Sequence, residues 1–161
     1  MYSIRVSIGF VIFALTALCL IPLTILRPRH RNNMGDICTV IGKVNALYWG
    51  VKYEFENEER LSPDSSSIII ANHQDTHDMF FAESAIRRGT VSLGKWEVIY
   101  IPFIGQLFYL GGNIMIKRSN KEKSQKALSI AAKTLIEKNL SLLIFPEGTR
   151  NWTKPLPFKL G

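Results

Sequence analysis

Within the eight residues from Ala71 to Asp78, "ANHQDTHD", stand two of the chain's three histidines and two carboxylates, directly behind the apolar run Ile68-Ile69-Ile70. Such a cluster admits two chemistries. A neutral imidazole suits proton transfer near pH 7, and a neighbouring carboxylate fixes its tautomer and stabilises the imidazolium that forms. His73 and Asp78 are the pair for that role. Alternatively, His73 and His77 stand four apart, the spacing that sets two zinc ligands on one helical face, with Asp75 or Asp78 adjacent. The remaining histidine, His30, is far away in sequence, and no glutamate occupies the general-base position of an "HExxH" pattern. A metal-dependent hydrolase would therefore need a carboxylate as third ligand. For the first chemistry, a spacing of five puts helical residues about 140° apart. His73 and Asp78 meet only if His73 sits on a strand-exit loop and Asp78 opens the helix that follows.

Two more polar stretches flank or follow strand-like runs, where α/β sheets carry their sites. "GGNIMIKR" closes on Arg118, and "FPEGTR", Phe145 to Arg150, follows "SLLIF". Taken singly each has a plain reading: Arg118 as a solvated strand end, and "PEGT" as an exposed turn.

The elements around these stretches follow from periodicity. Ile37, Val40, Ile41, Val44, Leu47 and Tyr48 recur at helical spacing, with Asp36 as the expected cap and Gly50 as the stop. "VKYEF" alternates like a strand and is followed by the polar turn "ENEERLSPDSSS". "IIIA" predicts a short strand buried on both faces, which requires a sheet covered by helices. "MFFAESAIRRG" predicts a helix ending at Gly89, "TVSL" a strand, and "NIMIKR" another. "NKEKSQKALSIAAKTLIEKN" is the plainest helix, with Leu128, Ala131, Ala132 and Leu135 on its apolar stripe. Strands alternating with helices predict an α/β fold with a mixed, largely parallel sheet covered by helices. The apolar segment Trp96 to Gly111, broken by Pro102 and Gly105, suits an acyl-chain groove, a membrane insertion or plain core equally well.

Composition bounds the class. The 161 residues are enough for one domain with a sizeable core. Val6 to Leu26 is a run of 21 uncharged residues, about 30 Å as a helix, the thickness of a bilayer core. "RPRHR", Arg27 to Arg31, follows it, and this heavier positive flank places the remainder on the cytoplasmic side. Pro22 removes one helical hydrogen bond, so a helix lying in one leaflet competes with a spanning one. Residues 1–116 hold ten Lys/Arg and ten Asp/Glu, whereas 117–161 hold ten and three, so the net +7 lies entirely in the last 45 residues. Anionic headgroups or phosphorylated substrates are its natural partners. Nucleic acid is not, since no nucleic-acid motif accompanies the charge. Cys19 and Cys38 are far from the histidine cluster and are expected to stay reduced.

"NH-x4-D", "G-x-x-M-I-x-R" and "FPEGTR", in this order, resemble the first three signature blocks of the glycerolipid acyltransferases, most closely the bacterial 1-acyl-glycerol-3-phosphate acyltransferases. The resemblance runs from "ANH" to "PFKLG" and includes "IPFIGQLFYLGGN". Met115 stands where the second block usually has an aromatic. The family's fourth block is absent, and "PLPFKLG" stops without a polar tail, so the chain is expected to be incomplete at its C-terminus. The resemblance implies acyl transfer from acyl-CoA or acyl-carrier protein to the sn-2 hydroxyl of 1-acyl-glycerol-3-phosphate (lysophosphatidic acid), with no metal or organic cofactor. A related acceptor, glycerol-3-phosphate or a lysophospholipid, is the alternative within the family. A non-catalytic lipid-binding membrane protein is the third possibility. By resemblance His73 and Asp78 are catalytic, and Arg118, Glu147, Gly148, Thr149 and Arg150 bind the acceptor, with Lys117 as a helper. The expected organisation is an anchor with basic flank at 1–31 and an acyltransferase domain at 32–161, at the inner membrane.

Overall fold

A computed structural model describes residues 2–61, 66–73, 78, 86–117, 121–151, 153 and 156–158. Two helices open the chain: α1, Tyr2–Leu26, and α2, Asn33–Trp49. They form an antiparallel hairpin. At its open end the Tyr48 hydroxyl donates to the Arg5 carbonyl at 2.7 Å, and Arg5 Nη2 donates to the Trp49 carbonyl at 3.2 Å. α2 ends as its sequence requires, with Gly50 in the left-handed region at φ +72° and its N–H on the Ala46 carbonyl. Its start differs from expectation. The helix begins at Asn33, so Asp36 lies in the first turn and not at the cap. There it favours the helix by charge, at the positive end of the dipole.

Among the described residues four strands follow: β1, Ile68–Ile70; β2, Thr90–Lys95; β3, Ile114–Ile116; and β4, Ser141–Ile144. They pair in the order β1-β4-β2-β3, every pair parallel. Between β2 and β3 come a 3-10 turn, Trp96–Tyr100, and α3, Ile104–Leu110. Between β3 and β4 runs α4, Lys121–Glu137. This is the expected α/β sheet.

Register decides which helix covers which face. Ser92 pairs with Leu143 and Val91 with Leu142, so Leu143 shares a face with Ser92 and opposes Val91. Met34 and Cys38 of α2 bury against Leu143 on the first face. A side chain added at Gly94, on that same face, would strike Phe108 of α3. α4 covers the other face, where its Ala131 and Leu135 line a space against Val91. α2 approaches closely because position 35 is glycine: a Cβ there would stand 2.6 Å from the Arg88 backbone nitrogen. Asn113 ties the layers together. Its Oδ1 accepts from the Ser92 N–H at 2.6 Å, and its amide donates to the Phe108 carbonyl at 3.0 Å.

Three local expectations fail. "VKYEF" is not a strand; Tyr53 instead reaches back to donate to the Gly42 carbonyl of α2. β1 is not buried on both faces, since Ile68 and Ile70 are 68% and 55% exposed. It is an edge strand, and α4 lies over β3. Leu128 and Ala132 also lie exposed, because the face of α4 toward the sheet is Ala127, Ala131, Thr134 and Leu135. The helix predicted after Asp78 falls outside the described residues, apart from Asp78 itself.

α1 has one inward and one outward face. Phe13 and Ala17 bury against Ile37, Ile41 and Leu107. Ile4, Ile8, Val11, Leu15 and Leu18, spaced by threes and fours, and Ile25 seven residues further on, remain exposed. The helix is long and apolar enough to cross a membrane, yet its middle is packed on α2 and α3.

Candidate active site

The pairing of β1 with β4 creates the site. Ile70 lies opposite Ile144, and the Ala71 N–H continues the ladder onto the Ile144 carbonyl at 3.1 Å. The chain segments leaving the two strands therefore emerge side by side. His73 stands three residues beyond β1, and Glu147 three beyond β4.

Glu147 holds the two exits together. It is 2% exposed, and its carboxylate accepts from two backbone donors: the His73 N–H on Oε1 at 3.1 Å and the Leu156 N–H on Oε2 at 3.3 Å. A third bond runs from the Asn151 N–H to the His73 carbonyl at 3.1 Å. His73 is thus fixed by both of its main-chain polar groups. A buried carboxylate is tolerated where backbone donors satisfy it.

The His73 ring packs against Phe145, centroids 4.6 Å apart and planes tilted by 34°. Its Nδ1 lies 2.9 Å from Asp78 Oδ2. A carboxylate only accepts, so this bond places the ring proton on Nδ1 and leaves the Nε2 lone pair available. Asp78 has helical backbone, and the strand-exit arrangement does bring the two side chains together. Both are about one-fifth exposed. That is enough for access, and low enough for the pair to gain from reduced screening.

Gly148 follows at φ +67°, its N–H closing a turn onto the Phe145 carbonyl at 3.0 Å. An L side chain is strained at that angle, which accounts for glycine here. Thr149 and Arg150 are exposed on the same loop. Because Asn151 bonds to His73, Arg150 sits immediately beside the histidine's main chain. Arg118, His77 and Asp75 fall outside the described residues. Lys117 is exposed beyond the end of β3. β3 lies three strands from β1, about 14 Å across the sheet. Among the described residues, no group of three or more His, Cys, Asp or Glu side chains gathers as a metal site.

Two features escaped sequence reasoning. Beside its expected place in acceptor binding, Glu147 accepts backbone N–H groups on both of its carboxylate oxygens. Asn151 and Phe145 position the histidine, and only the adjacency of the strand exits could have revealed that.

Residues 52–161 match the family model "Acyltransferase". The chain belongs to this acyltransferase family. It is 37% identical over 137 residues to a 1-acyl-sn-glycerol-3-phosphate acyltransferase of Haemophilus influenzae, a match covering 84% of this chain and 57% of the relative. It is likewise 37% identical over 157 residues to one from Limnanthes alba, covering 97% of this chain and 54% of the relative. The chain thus spans a little over half the length of these curated relatives. The crystal structure of the 1-acyl-sn-glycerophosphate acyltransferase PlsC from Thermotoga maritima superposes with a TM-score of 0.70 at 23% identity, covering 99% of this chain and 68% of that one. That likeness shows the shared fold.

Proposed function

We propose that this chain forms the catalytic part of a 1-acyl-glycerol-3-phosphate acyltransferase, transferring a fatty acyl group from acyl-CoA or acyl-carrier protein to the sn-2 hydroxyl and giving phosphatidate. The observation that carries this reading is the His73–Asp78 pair, held at the strand ends by Glu147 in a chain of this family. His73 Nε2 takes the hydroxyl proton as the oxygen attacks the thioester carbonyl. A carbon–oxygen bond forms, the carbon–sulfur bond breaks, and the imidazolium returns its proton to the departing thiolate. A thiol of pKa about 8.5 leaves readily, so no strong acid is needed. Asp78 holds the tautomer and stabilises the imidazolium. Arg150, with Arg118 and Lys117, supplies the cations for the acceptor phosphate. Thr149 and Gly148 complete the acceptor-binding loop.

The test is acyl transfer by the purified protein in neutral detergent. His73→Ala is expected to lower kcat by about 10²–10⁴-fold. His77→Ala keeps most activity, chelators change nothing, and Arg150→Ala raises the acceptor KM more than it lowers kcat. Equal loss from both histidine variants, with stoichiometric metal, would establish the hydrolase instead.

We also propose that residues 1–31 hold the domain, residues 32–161, on the cytoplasmic face of the inner membrane with α1 in one leaflet. The exposed stripe Ile4 to Ile25 supplies the apolar contact. Spanning would carry α2, with exposed Lys43 and buried Asn45, into hydrocarbon. Leu15→Glu with Leu18→Glu is expected to move the folded protein from floated vesicles to the soluble fraction. Retention on the vesicles would refute the stripe's role.

A further inference from the structure

A cavity lies between α4 and the sheet and runs along β2, from Val91 near its start to Trp96 just beyond its end. α4 does not close fully onto the sheet, and a space of about 320 Å³ remains between them, walled by Val91, Ile114, Ala131, Leu135 and Leu140. Beside it lies a space of about 270 Å³ bordered by Arg29, His30, Arg31 and Lys138. The two share Arg29, Val91, Gly112, Thr134 and Leu140, so they adjoin, and together they outline a channel, apolar inside and basic at the mouth.

The mouth is built by long-range contacts. The link between α1 and α2 is fastened to the N-terminal ends of β2 and β4: the Gly89 N–H donates to the Arg31 carbonyl at 3.2 Å, and Arg31 Nη2 donates to the Asn139 carbonyl at 3.3 Å. The Arg29 guanidinium lies 5.2 Å from the Tyr109 ring centroid, and its Nη1 donates to the Tyr109 carbonyl at 3.4 Å. Each guanidinium has five N–H donors, so several remain for a ligand. Carboxylates that could neutralise this rim are engaged elsewhere. Asp36 pairs with Arg27 and Arg88, and Glu137 with Lys133. Among the described residues Arg29, Arg31 and Lys138 have no ion pair.

We propose that this channel is a second, non-reacting lipid site, which takes a single-chain lipid with a phosphate monoester headgroup. The apolar part is near the lower end of ligand-pocket volumes, roughly 300–1,000 Å³, and suits one aliphatic chain. A phosphate monoester carries about −1.5 to −2 charges and three acceptor oxygens, which match the three unpaired cations. Access is from the bilayer surface. The mouth adjoins the end of α1, where Ile25 and Leu26 are exposed. The basic mouth lies at the N-terminal strand ends, whereas His73 and Glu147 lie at the C-terminal ends. The four residues of β4 alone span about 13 Å between them. It therefore binds lipid whether or not acyl transfer occurs.

Dodecyl phosphate is the probe, since it has no hydroxyl to acylate. Its binding to the whole chain in neutral detergent is measured by calorimetry. Replacing Arg29, Arg31 and Lys138 together by Gln is expected to weaken one binding event at least tenfold. Ala131→Trp, which fills the channel without touching its charge, abolishes the same event. Arg150→Ala leaves it intact, and dodecanoate binds at least fivefold more weakly. Both channel variants must keep the native circular dichroism spectrum. Unchanged binding in either folded variant, loss in Arg150→Ala, or equal affinity for dodecanoate would each overturn the proposal.

Discussion

At the C-terminal ends of β1 and β4 the carboxylates are engaged, Asp78 by the His73 ring and Glu147 by two backbone N–H groups. At the N-terminal ends of β2 and β4 the balance is reversed, with Arg29, His30, Arg31 and Lys138 rimming a channel and no carboxylate paired to Arg29, Arg31 or Lys138 among the described residues. The first end is preorganised, because every bond that fixes His73 is made within the protein before substrate arrives. The second is electrostatically open among the described residues, which suits it to an anion from outside. One sheet thus offers a rigid end suited to chemistry and an adaptable end suited to binding.

The largest effect expected from breaking this contrast is at Glu147. If it works by fixing backbone and not by touching substrate, Glu147→Ala orphans two part-buried N–H donors. At about 1–3 kcal/mol for each unsatisfied group, roughly 3 kcal/mol of stability is lost. For a chain of this size that lowers Tm by roughly 6–12 °C. Glu147→Gln keeps one acceptor oxygen and is expected to lose about half as much. Because the bond to the His73 N–H weakens in both, kcat falls more than the acceptor KM rises. An unchanged melting temperature in Glu147→Ala, with the loss confined to acceptor KM, would show that this end is less rigid than argued and that Glu147 meets the acceptor directly.

The two ends also differ in how legible they were. His73, Asp78 and the Glu147–Arg150 stretch stand in short polar motifs after apolar runs, and the resemblance to the acyltransferase family singled them out. The parallel sheet followed from strands alternating with helices. The basic rim was visible as "RPRHR" only as a membrane flank. Its closeness to Lys138 depends on the bond from Arg31 to Asn139, 108 residues away, and no periodicity reports that. The exposure of Ile68 and Ile70 is a similar case, since an apolar strand does not reveal whether it lies at an edge. The interior packing of α1 was hidden for a related reason: a uniformly apolar helix reads alike whether lipid or protein covers each face.

The smallest expected effect tests how the open end keeps its charge apart. Asp36 Oδ1 accepts from Arg88 Nε at 2.8 Å, and Oδ2 from Arg27 Nη2 at 2.5 Å. Burial pushes the carboxyl pKa up, but the hydrogen bonds and charges of Arg88 and Arg27 outweigh it and hold the group below its ordinary value. A carboxyl whose pKa is lower in the folded chain binds fewer protons there than when unfolded. Its contribution is fully present above the unfolded pKa, about 3.9, and is lost as pH falls through the lower folded value. Arg88 is 67% exposed, so screening limits the pairing to about 0.5–1 kcal/mol. Asp36→Asn is therefore expected to reduce stability to urea by that amount at pH 7, and by progressively less as the pH falls through the lowered folded pKa. The same substitution removes a negative charge from the first turn of α2, next to the link that carries Arg29 and Arg31, which should tighten dodecyl phosphate binding by less than tenfold. A stability difference that persists undiminished at pH 2 would assign the loss to packing. Weaker binding would mean that Asp36 helps to hold the mouth in shape, and its separation of paired from unpaired cations would then be structural as much as electrostatic.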